Sequence, residues 1–434
     1  MTSPTGPQQT WRQLLATARP AFTAPGFAVF ETLLAGWVLT PGRRTITAMI
    51  CAADPESRRA HDAYHRFVRC GRWSVDTLWK TLVTHLVAQF FPTGSIPLDV
   101  DDTLYKKTGP NINGTGIFRD AVASTKNRVV YALGLNLVVV TMRVTPPWGG
   151  CPIALPVGVR LHPKNGPTTI DLAEQILRQL AEWLPDRTFT LCGDGAYATL
   201  LGHALPHTTV TSRLRRDAAL YEAAPPRTGK RGRPRTKGDR LPTPTNIAAN
   251  LTTKDFTYAQ INNRGRTATV LTWTRQVLWY GVDKKRMLTL VIVRDPNGIC
   301  PDDFFITDQP QPDGADIAAQ YAGRWAIEIC FRDTKQHLGA EDPQTRTGDG
   351  PARAAALSLW LYSTTWTWHI TVNGTNPTGT PRPWYRRKTT PSFLDALASL
   401  RRTLWTTRIT ATPPHDPHHP KILDGILDIL ANAA

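Results

Sequence analysis

The amino-acid sequence predicts a mixed α/β fold in which helices flank a sheet and a helical region precedes it. Residues 1–93 show the apolar spacing of helices. Several later segments are short, strongly apolar runs of the kind that form the central strands of a sheet. Helical patterns with polar capping residues lie between and after these runs, which favours an α/β architecture over an all-β one.

Composition and charge indicate a folded protein that meets a polyanion. The chain has 434 residues, 41% of them hydrophobic, with 14 Trp, which is enough for two or three domains. A net charge of +17 makes nucleic acid the simplest partner. The absence of a long apolar run and of a signal peptide argues against a membrane. Six scattered cysteines without a C-x-x-C pair fit neither a zinc site nor a disulfide scaffold, so we expect a cytoplasmic, nucleoid-associated protein.

The N-terminal region, residues 1–93, combines helical spacing with many arginines. This combination predicts a helical module that grips DNA, and a helical bundle with a charged exterior is the alternative. The arginines of its second half are Arg43, Arg44, Arg58, Arg59, Arg66, Arg69 and Arg72.

Acidic residues end two of the predicted strands. The run at residues 95–103 ends in adjacent aspartates, and alternation along it places Asp99 and Asp101 on one face and Asp102 on the other. A later strand runs into Asp194, whose flanking glycines allow a sharp turn. Other strands are predicted at about 128–144 and 151–161 and before Arg213, with a capped helix at 168–184.

The region between residues 216 and 295 changes in character. Up to about residue 250 it is rich in Pro, Gly and basic residues, which predicts a flexible or extended loop. Arg231 and Arg233 lie there in an R-G-R-P-R pattern that suits insertion into an A·T-rich minor groove, although a solvated linker explains it equally well. Residues 255–295 then show strand patterns that include Trp273 and Trp279.

The most informative pattern lies at residues 316–339, which are predicted to form one helix. Tyr321, Glu328 and Lys335 recur every seven residues, and Arg324 precedes Glu328 by four, so all four share one helical stripe. A phenol, a guanidinium, a carboxylate and an ammonium together suit a surface that holds a metal ion and a phosphodiester. An amphipathic helix with an internal Arg–Glu pair is the structural alternative.

Three carboxylates are candidates for a metal site: Asp101, Asp194 and Glu328. Strand ends and a nearby helix are where an α/β sheet exposes side chains to a cleft, so we expect these residues to converge. Their oxygen ligands favour two Mg²⁺ ions, with Mn²⁺ as a substitute, which would activate the attacking oxygen and stabilise the leaving oxygen of a phosphodiester. Each acid could instead be a turn or capping residue.

On these residues the chain resembles the DDE transposases of bacterial insertion sequences, in the branch with a Y-R-E-K signature. That signature is matched in identity and in all three gaps by Tyr321, Arg324, Glu328 and Lys335. The D-x-T of residues 101–103 and the G-D-G-A-Y around Asp194 are similar to the two aspartate motifs of the family. The D-x-T alignment favours Asp101 over Asp102 as the first metal ligand.

The resemblance, which spans about residues 95–375, implies a ribonuclease-H-like mixed sheet with a β-strand insertion domain between the second aspartate and the glutamate. It also implies that an insertion-domain Trp stacks on a flipped base, a role for Trp273 or Trp279 whose alternative is core packing. The implied regions are 1–93 (helical, DNA-binding), 94–215 (first part of the core), 216–302 (basic loop and β-rich insertion), 303–375 (second part of the core) and 376–434 (basic, helical tail).

The function implied by the resemblance is DNA transposition. The protein would bind transposon ends, cleave them and join the released 3′-hydroxyl to target DNA, acting as a homodimer on double-stranded DNA. The expected DNA contacts are Tyr321, Arg324, Lys335, Arg213, Arg231, Arg233, Trp273 and Trp279. A DNA-binding regulator without nuclease activity and a stand-alone Mg²⁺-dependent nuclease are the alternatives.

Overall fold

A ten-stranded mixed sheet flanked by helices organises the described part of the chain, as the predicted α/β fold class requires. The computed structural model describes residues 6–109, 111–125, 127–226, 234–376 and 386–411, with positions 420 and 426. The strands are β1 (Ile96–Lys106), β2 (Gly116–Arg119), β3 (Tyr131–Val144), β4 (Ile153–His162), β5 (Phe189–Gly193), β6 (Thr208–Arg213), β7 (Thr257–Asn263), β8 (Arg266–Val277), β9 (Leu288–Arg294) and β10 (Asp303–Thr307).

Helices precede the sheet, cover it and follow it. The N-terminal helices are α1 (Pro7–Ala16), α2 (Ala24–Leu39), α3 (Ile46–Ala53), α4 (His61–Cys70) and α5 (Val75–Phe90). The later helices are α6 (Thr169–Trp183), α7 (Pro244–Asn250), α8 (Gly314–Gly323), α9 (Trp325–Gln336), α10 (Gly350–Asn373) and α11 (Phe393–Ala411). Short 3₁₀ helices cover Arg19–Ala21, Gly195–Gly202 and Thr253–Asp255. In the described ranges we find no helix with the length and hydropathy needed to cross a bilayer.

The first five long strands form the ribonuclease-H-like part of the sheet. Strand β1 lies at its centre, antiparallel to β3 on one side and parallel to β5 on the other. Strand β4 pairs with β3, and β6 continues the parallel side next to β5. The carboxyl ends of β1 and β5 therefore point in the same direction, which is the edge where an α/β sheet presents polar side chains.

The strands predicted within residues 255–295 are present and extend the same sheet. Strand β10 pairs with β6 on one side and with β9 on the other, and β8 and β7 continue outward. These strands are thus hydrogen-bonded to the core through β10. Whether they form a domain of their own, and where the five predicted regions begin and end, stays a prediction.

Local signals in the sequence account for helix α6. Thr168 Oγ1 accepts a hydrogen bond from the Asp171 amide at 3.2 Å, and the Asp171 carboxylate accepts one from the Thr168 amide at 2.8 Å. This is the predicted capping box, and it satisfies backbone donors that the first turn would otherwise leave unpaired. The apolar stripe of α6, which includes Leu172, Ile176 and Leu180, is buried.

The predicted single helix at residues 316–339 is wrong in one respect, because it is divided into α8 and α9 at Arg324. The Arg324 amide donates to Tyr321 O at 3.1 Å, and the Ile327 amide donates to Arg324 O at 3.0 Å. These bonds span three residues instead of four, which tightens the backbone locally and starts a new helix. The four signature residues therefore do not form one continuous helical stripe.

Candidate active site

Two aspartates lie side by side where the parallel pairing of β1 with β5 ends. The prediction that a strand ends in Asp101 and Asp102 is wrong, because β1 continues to Lys106 through its pairing with β3. Val100 of β1 pairs with Gly193, the last residue of β5, and Asp101 and Asp194 are the next residues of the chain after each. Asp194 Oδ1 also accepts a hydrogen bond from the Ala196 amide at 2.9 Å, which fixes the turn after β5. The two carboxylates are close enough for the charge of Asp194 to raise the pKa of Asp101. The structure thus brings together these two predicted site residues.

The third predicted carboxylate, that of Glu328, is linked to Asp101 by hydrogen bonds from Arg324. Arg324 Nη1 donates to Asp101 Oδ2 at 2.8 Å, and its Nη2 donates to Glu328 Oε1 at 2.8 Å. The guanidinium is nearly buried, with 9% of its side chain exposed, whereas Asp101 and Glu328 are 20% and 33% exposed. One guanidinium therefore bridges Asp101 of β1 and Glu328 of α9.

Burial and neighbouring charge alter the ionisation of this cluster. Burial raises the pKa of Asp101 to about 7, with Asp194 and Asp102 acting in the same direction and Arg324 opposing them. Burial also acts against the charged form of Arg324, but Tyr321 and the carboxylates more than offset it, so the pKa of Arg324 is raised. Desolvation of the carboxylate is the dominant cause for Asp101. Its carboxyl group therefore titrates near neutral pH.

We tested whether these side chains fit the expected metal. Carboxylate oxygens are suitable ligands for Mg²⁺ or Mn²⁺. Among the described residues, however, no group of three or more His, Cys, Asp or Glu side chains is arranged to hold a metal ion. Arg324 lies between Asp101 and Glu328 and contacts both. As the side chains are arranged here, they do not form the cation site that the sequence predicts.

Asp102, the alternative first ligand, lies in a different environment. Tyr197 Oη donates to Asp102 Oδ1 at 3.3 Å, and burial raises the pKa of this carboxyl group. Alternation along β1 directs Asp101 and Asp102 to opposite faces, and of the two Asp101 contacts Arg324. The choice of Asp101 as the first catalytic carboxylate stays a prediction that this contact favours.

Tyr321 and Lys335 occupy two different places. The Tyr321 ring packs on Phe305 at 4.5 Å between centroids, and the Arg324 guanidinium lies over it at 5.4 Å. Lys335 Nζ instead lies 5.7 Å from the Tyr105 ring centroid, near the far end of β1, where burial lowers its pKa. The structure groups Tyr321 with Arg324 and Glu328 and places Lys335 farther along the strand.

A cleft of about 430 Å³ opens beside Arg324. Its lining includes Tyr321 and Arg213, and Arg213 also forms an ion pair with Asp303 at 2.5 Å. Sequence reasoning missed two further lining residues, Arg264 and Trp325. The Arg264 guanidinium lies 4.2 Å from the centre of the Trp325 ring, which is 40% exposed. An aromatic residue inside the signature, next to Arg324, was the available signal.

The remaining predicted DNA contacts are not in this cleft. Trp273 and Trp279 are partly buried and pack against the hydrophobic core, and neither lines the cleft. Their stacking on a base stays a prediction. Arg231 and Arg233 lie outside the described residues.

A second basic surface, which we call the arginine groove, combines Arg43 and Arg69 of the predicted DNA-gripping region with Arg346, which sequence reasoning missed. It consists of two adjoining cavities of about 300 and 200 Å³ that share Arg346. Exposed Arg69 and Arg43 border them, and neither these residues nor Arg346 forms an ion pair with any residue that the structure describes. Asn113 holds the segment that carries Arg346, since the backbone amide of Asn113 donates to the Arg346 carbonyl oxygen at 2.8 Å. Because these arginines lie far apart in the chain, no local sequence pattern indicates that they share a groove.

The family to which this chain belongs follows from sequence comparison. A family model described as DDE superfamily endonuclease matches residues 19–278, which is more than half of the chain. The chain belongs to this family, which confirms the predicted membership of the DDE superfamily. The match includes Asp101 and Asp194 but ends before Tyr321, so the Y-R-E-K branch and an origin in a bacterial insertion sequence stay predictions.

Other comparisons add little. No curated protein matches this chain. One solved structure, a piggyBac transposase in a synaptic complex with hairpin DNA, is similar at 13% identity over 98% of this chain and 82% of the other, with a TM-score of 0.40. A similarity at this level carries no argument about function.

Proposed function

We propose that this endonuclease-family protein is a DNA transposase. It would bind the ends of a mobile element, hydrolyse a phosphodiester at each end and join the released 3′-hydroxyl to target DNA. The observation that carries the proposal is the bridge that Arg324 makes between Asp101 and Glu328, with Asp194 beside Asp101 and a cleft lined by arginines next to it, in a chain of the DDE family.

The three carboxylates are the proposed catalytic residues, and Mg²⁺ is the proposed cofactor, as two ions for which Mn²⁺ can substitute. Because Arg324 lies between Asp101 and Glu328, the ions would bind only after the guanidinium has moved, and they would then supply an activated attacking oxygen and a stabilised leaving oxygen. The protein itself supplies the position of the carboxylates. Asp101 and Asp194 are held by neighbouring strands, and Glu328 is held by the first turn of α9.

The cations around the cleft fit a phosphodiester substrate. Arg324, Arg213 and Arg264 all border the cleft, and a guanidinium can hold a phosphate through two parallel hydrogen bonds. The Arg324 guanidinium lies over the Tyr321 ring, 5.4 Å from its centroid, and this contact helps to orient it. These residues orient a strand so that one phosphate lies next to Asp101. Hydrolysis at that phosphate needs no covalent enzyme intermediate.

The arginine groove extends the proposed DNA path. Lys106 lies at its edge, five residues beyond Asp101 along β1. At about 3.3 Å per residue this is a distance of about 17 Å. A duplex advances about 3.4 Å per base pair, so the groove would meet the backbone about five base pairs from the cut. Arg43, Arg69 and Arg346, which form no ion pair with any described residue, provide the charge for that contact.

Pairing two ends usually takes more than one protomer, so we propose a homodimer that forms on DNA in the cytoplasm, at the nucleoid. Mass measurement of the complex with end DNA tests this. A complex with one protomer per pair of ends would contradict it.

The test of activity is a cleavage and joining assay on DNA that carries the inverted repeats flanking the reading frame. We expect wild-type protein with Mg²⁺ or Mn²⁺ to cut at the repeats and to join the cut ends to a target plasmid. Glu328→Ala should bind the same DNA without cutting it. Asp316→Asn, which alters an exposed acid on neighbouring α8, is the matched control and should retain activity.

Two outcomes separate the alternatives. Binding to the repeats without any cleavage by wild-type protein, with either metal, would favour a DNA-binding regulator. Cleavage without joined products would favour a stand-alone nuclease.

A further inference from the structure

We propose that Arg324 is an internal counter-ion that competes with a divalent cation for Asp101 and Glu328. We further propose that Arg324 turns to a DNA phosphate when the cation takes its place. The second step rests on the function proposed above, whereas the first concerns the protein without DNA.

The contacts of Arg324 carry the first step. Two nitrogens of a single guanidinium donate to two different carboxylates, each at 2.8 Å. A cation shared by Asp101 and Glu328 would need the space between those same oxygens, because Mg²⁺ binds oxygen ligands at about 2.1 Å. Guanidinium and cation therefore exclude each other from this position.

The surroundings of Arg324 allow it to leave. Its Nε is buried and has no hydrogen-bond partner among the described residues, so the guanidinium is incompletely satisfied where it lies. Arg324 also lies at the junction of α8 and α9 and borders the cleft of about 430 Å³. Rotation of the side chain toward Arg213 and Trp325 would bring it into that cleft, where a phosphate could accept both of its donors.

The charges define the direction of the effect. Asp101 and Glu328 both contact Arg324, and Asp194 lies beside Asp101, so loss of Arg324 would leave the first two without their bonded cation and would strengthen the attraction of the cluster for a metal ion. If DNA draws Arg324 away, DNA should raise the affinity for the cation. By linkage the cation must raise the affinity for DNA by the same factor.

The first experiment measures Mn²⁺ binding to the full chain without DNA, by electron paramagnetic resonance of the free ion. We expect Arg324→Gln to bind Mn²⁺ about tenfold more tightly than wild type, a difference of about 1.4 kcal/mol. Arg213→Gln is the matched control, because it removes a cleft cation that does not lie between the two carboxylates. It should change the affinity by less than about threefold, on the same scale.

A double variant assigns the ion to this site. Asp101→Asn combined with Arg324→Gln should lose the gain in affinity, because one of the two released carboxylates is then absent. Retention of the gain would place the ion elsewhere and would overturn the proposal.

The second experiment repeats the titration with a short end duplex. DNA should increase the Mn²⁺ affinity of wild type more than that of Arg324→Gln, since the variant has no guanidinium left to transfer. An increase in affinity for Arg324→Gln, with no effect of DNA on the Mn²⁺ affinity of either protein, would support the competition and contradict the transfer of Arg324 to DNA. The cleavage and joining assay tests the proposed function separately.

Thermal melting shows whether Arg324→Gln is still folded. Arg324→Lys provides a second variant at the same position. Lysine keeps the charge but contacts one carboxylate at a time, so its Mn²⁺ affinity should lie between those of wild type and Arg324→Gln. If folded Arg324→Gln and Arg324→Lys bind Mn²⁺ no more tightly than wild type, Arg324 is not a competitor.

Discussion

Two arginine–carboxylate sites lie two residues apart on the same face of β1. In the first, Arg143 directs Nε and Nη2 to the single carboxylate of Asp99, and the Nε bond is 3.0 Å long. The Asp99 side chain is fully buried, and 9% of Arg143 is exposed. In the second, Arg324 divides its donors between Asp101 and Glu328, and both carboxylates keep contact with solvent.

The residue types are nearly the same, but the two sites differ in the number of carboxylates that each arginine contacts and in their exposure to solvent. A one-to-one pair with two parallel bonds satisfies both charges and stabilises the interior. A guanidinium shared by two carboxylates next to a third leaves excess negative charge at the edge of a cleft. The pair at Asp99 therefore serves the fold, whereas the cluster at Asp101 has the excess charge and exposure that the proposed exchange of its cation requires.

The largest effect should be on the free energy of unfolding, when the buried ion pair between Asp99 and Arg143 is removed. Asp99→Asn leaves the Arg143 guanidinium buried without its counter-charge, which we expect to lower the free energy of unfolding by about 3–5 kcal/mol. Urea denaturation followed by circular dichroism measures this. A midpoint equal to that of wild type would show that Asp99 and Arg143 are as exchangeable as the cluster at Asp101.

The next effect should be on activity. Asp101→Asn resembles the protonated form of a residue whose pKa is already raised to about 7, so the fold should tolerate it. We expect cleavage to fall by about 100-fold or more, the order of loss seen when a preorganised catalytic group is removed. The assay is the cleavage of end DNA, with the urea midpoint measured in parallel. A loss of stability equal to that of Asp99→Asn would remove the distinction between the sites.

The pH dependence of stability should sharpen the comparison further. Because the folded pKa of Asp101 is raised, the folded state binds the proton more tightly than the unfolded state does. The stability from this group is complete below the unfolded value near pH 4 and is lost as pH rises through about 7. In buffer with EDTA, wild type should therefore lose more stability between pH 5 and pH 8 than Asp101→Asn. Equal losses would contradict the raised pKa.

The smallest effect concerns arginines that form no ion pair with a carboxylate in the part of the chain that the structure describes. Replacing Arg69 and Arg346 with Ala should lower the slope of log affinity against log salt by about two, since each lost phosphate contact contributes about 0.9. Binding of end DNA at several salt concentrations measures this slope. Arg402→Ala, at an exposed position on α11, is the control and should leave the slope unchanged.

Sequence reasoning could find the residues of the site but not their partners. Strand alternation was enough to place Asp99 and Asp101 on one face, and apolar runs located β3 and β4 within a few residues. The partner of Asp101 lies 223 residues away in the chain, and that pairing depends on how α9 packs on the sheet. The break between α8 and α9 was also missed, although Gly323, a poor helix former, lies directly before it.

The strand order was also beyond the sequence. Strand β10 joins β6 to β9, and no local pattern shows that the strands after residue 255 share a sheet with those before it. Pairings between distant segments are chosen by the whole fold, whereas periodicity reports only on neighbours along the chain. The arginine groove was missed for the same reason.

The packing of α10 has a consequence for how the chain is made. Trp368 donates from its indole to Pro7 O at 2.8 Å across 361 residues, and Trp360 packs edge-on against Phe30. Native burial of the first helices must therefore wait until the ribosome has synthesised almost the whole polypeptide. During that interval apolar residues of α2 remain without their final neighbours, and nascent-chain chaperones have their longest opportunity to bind there.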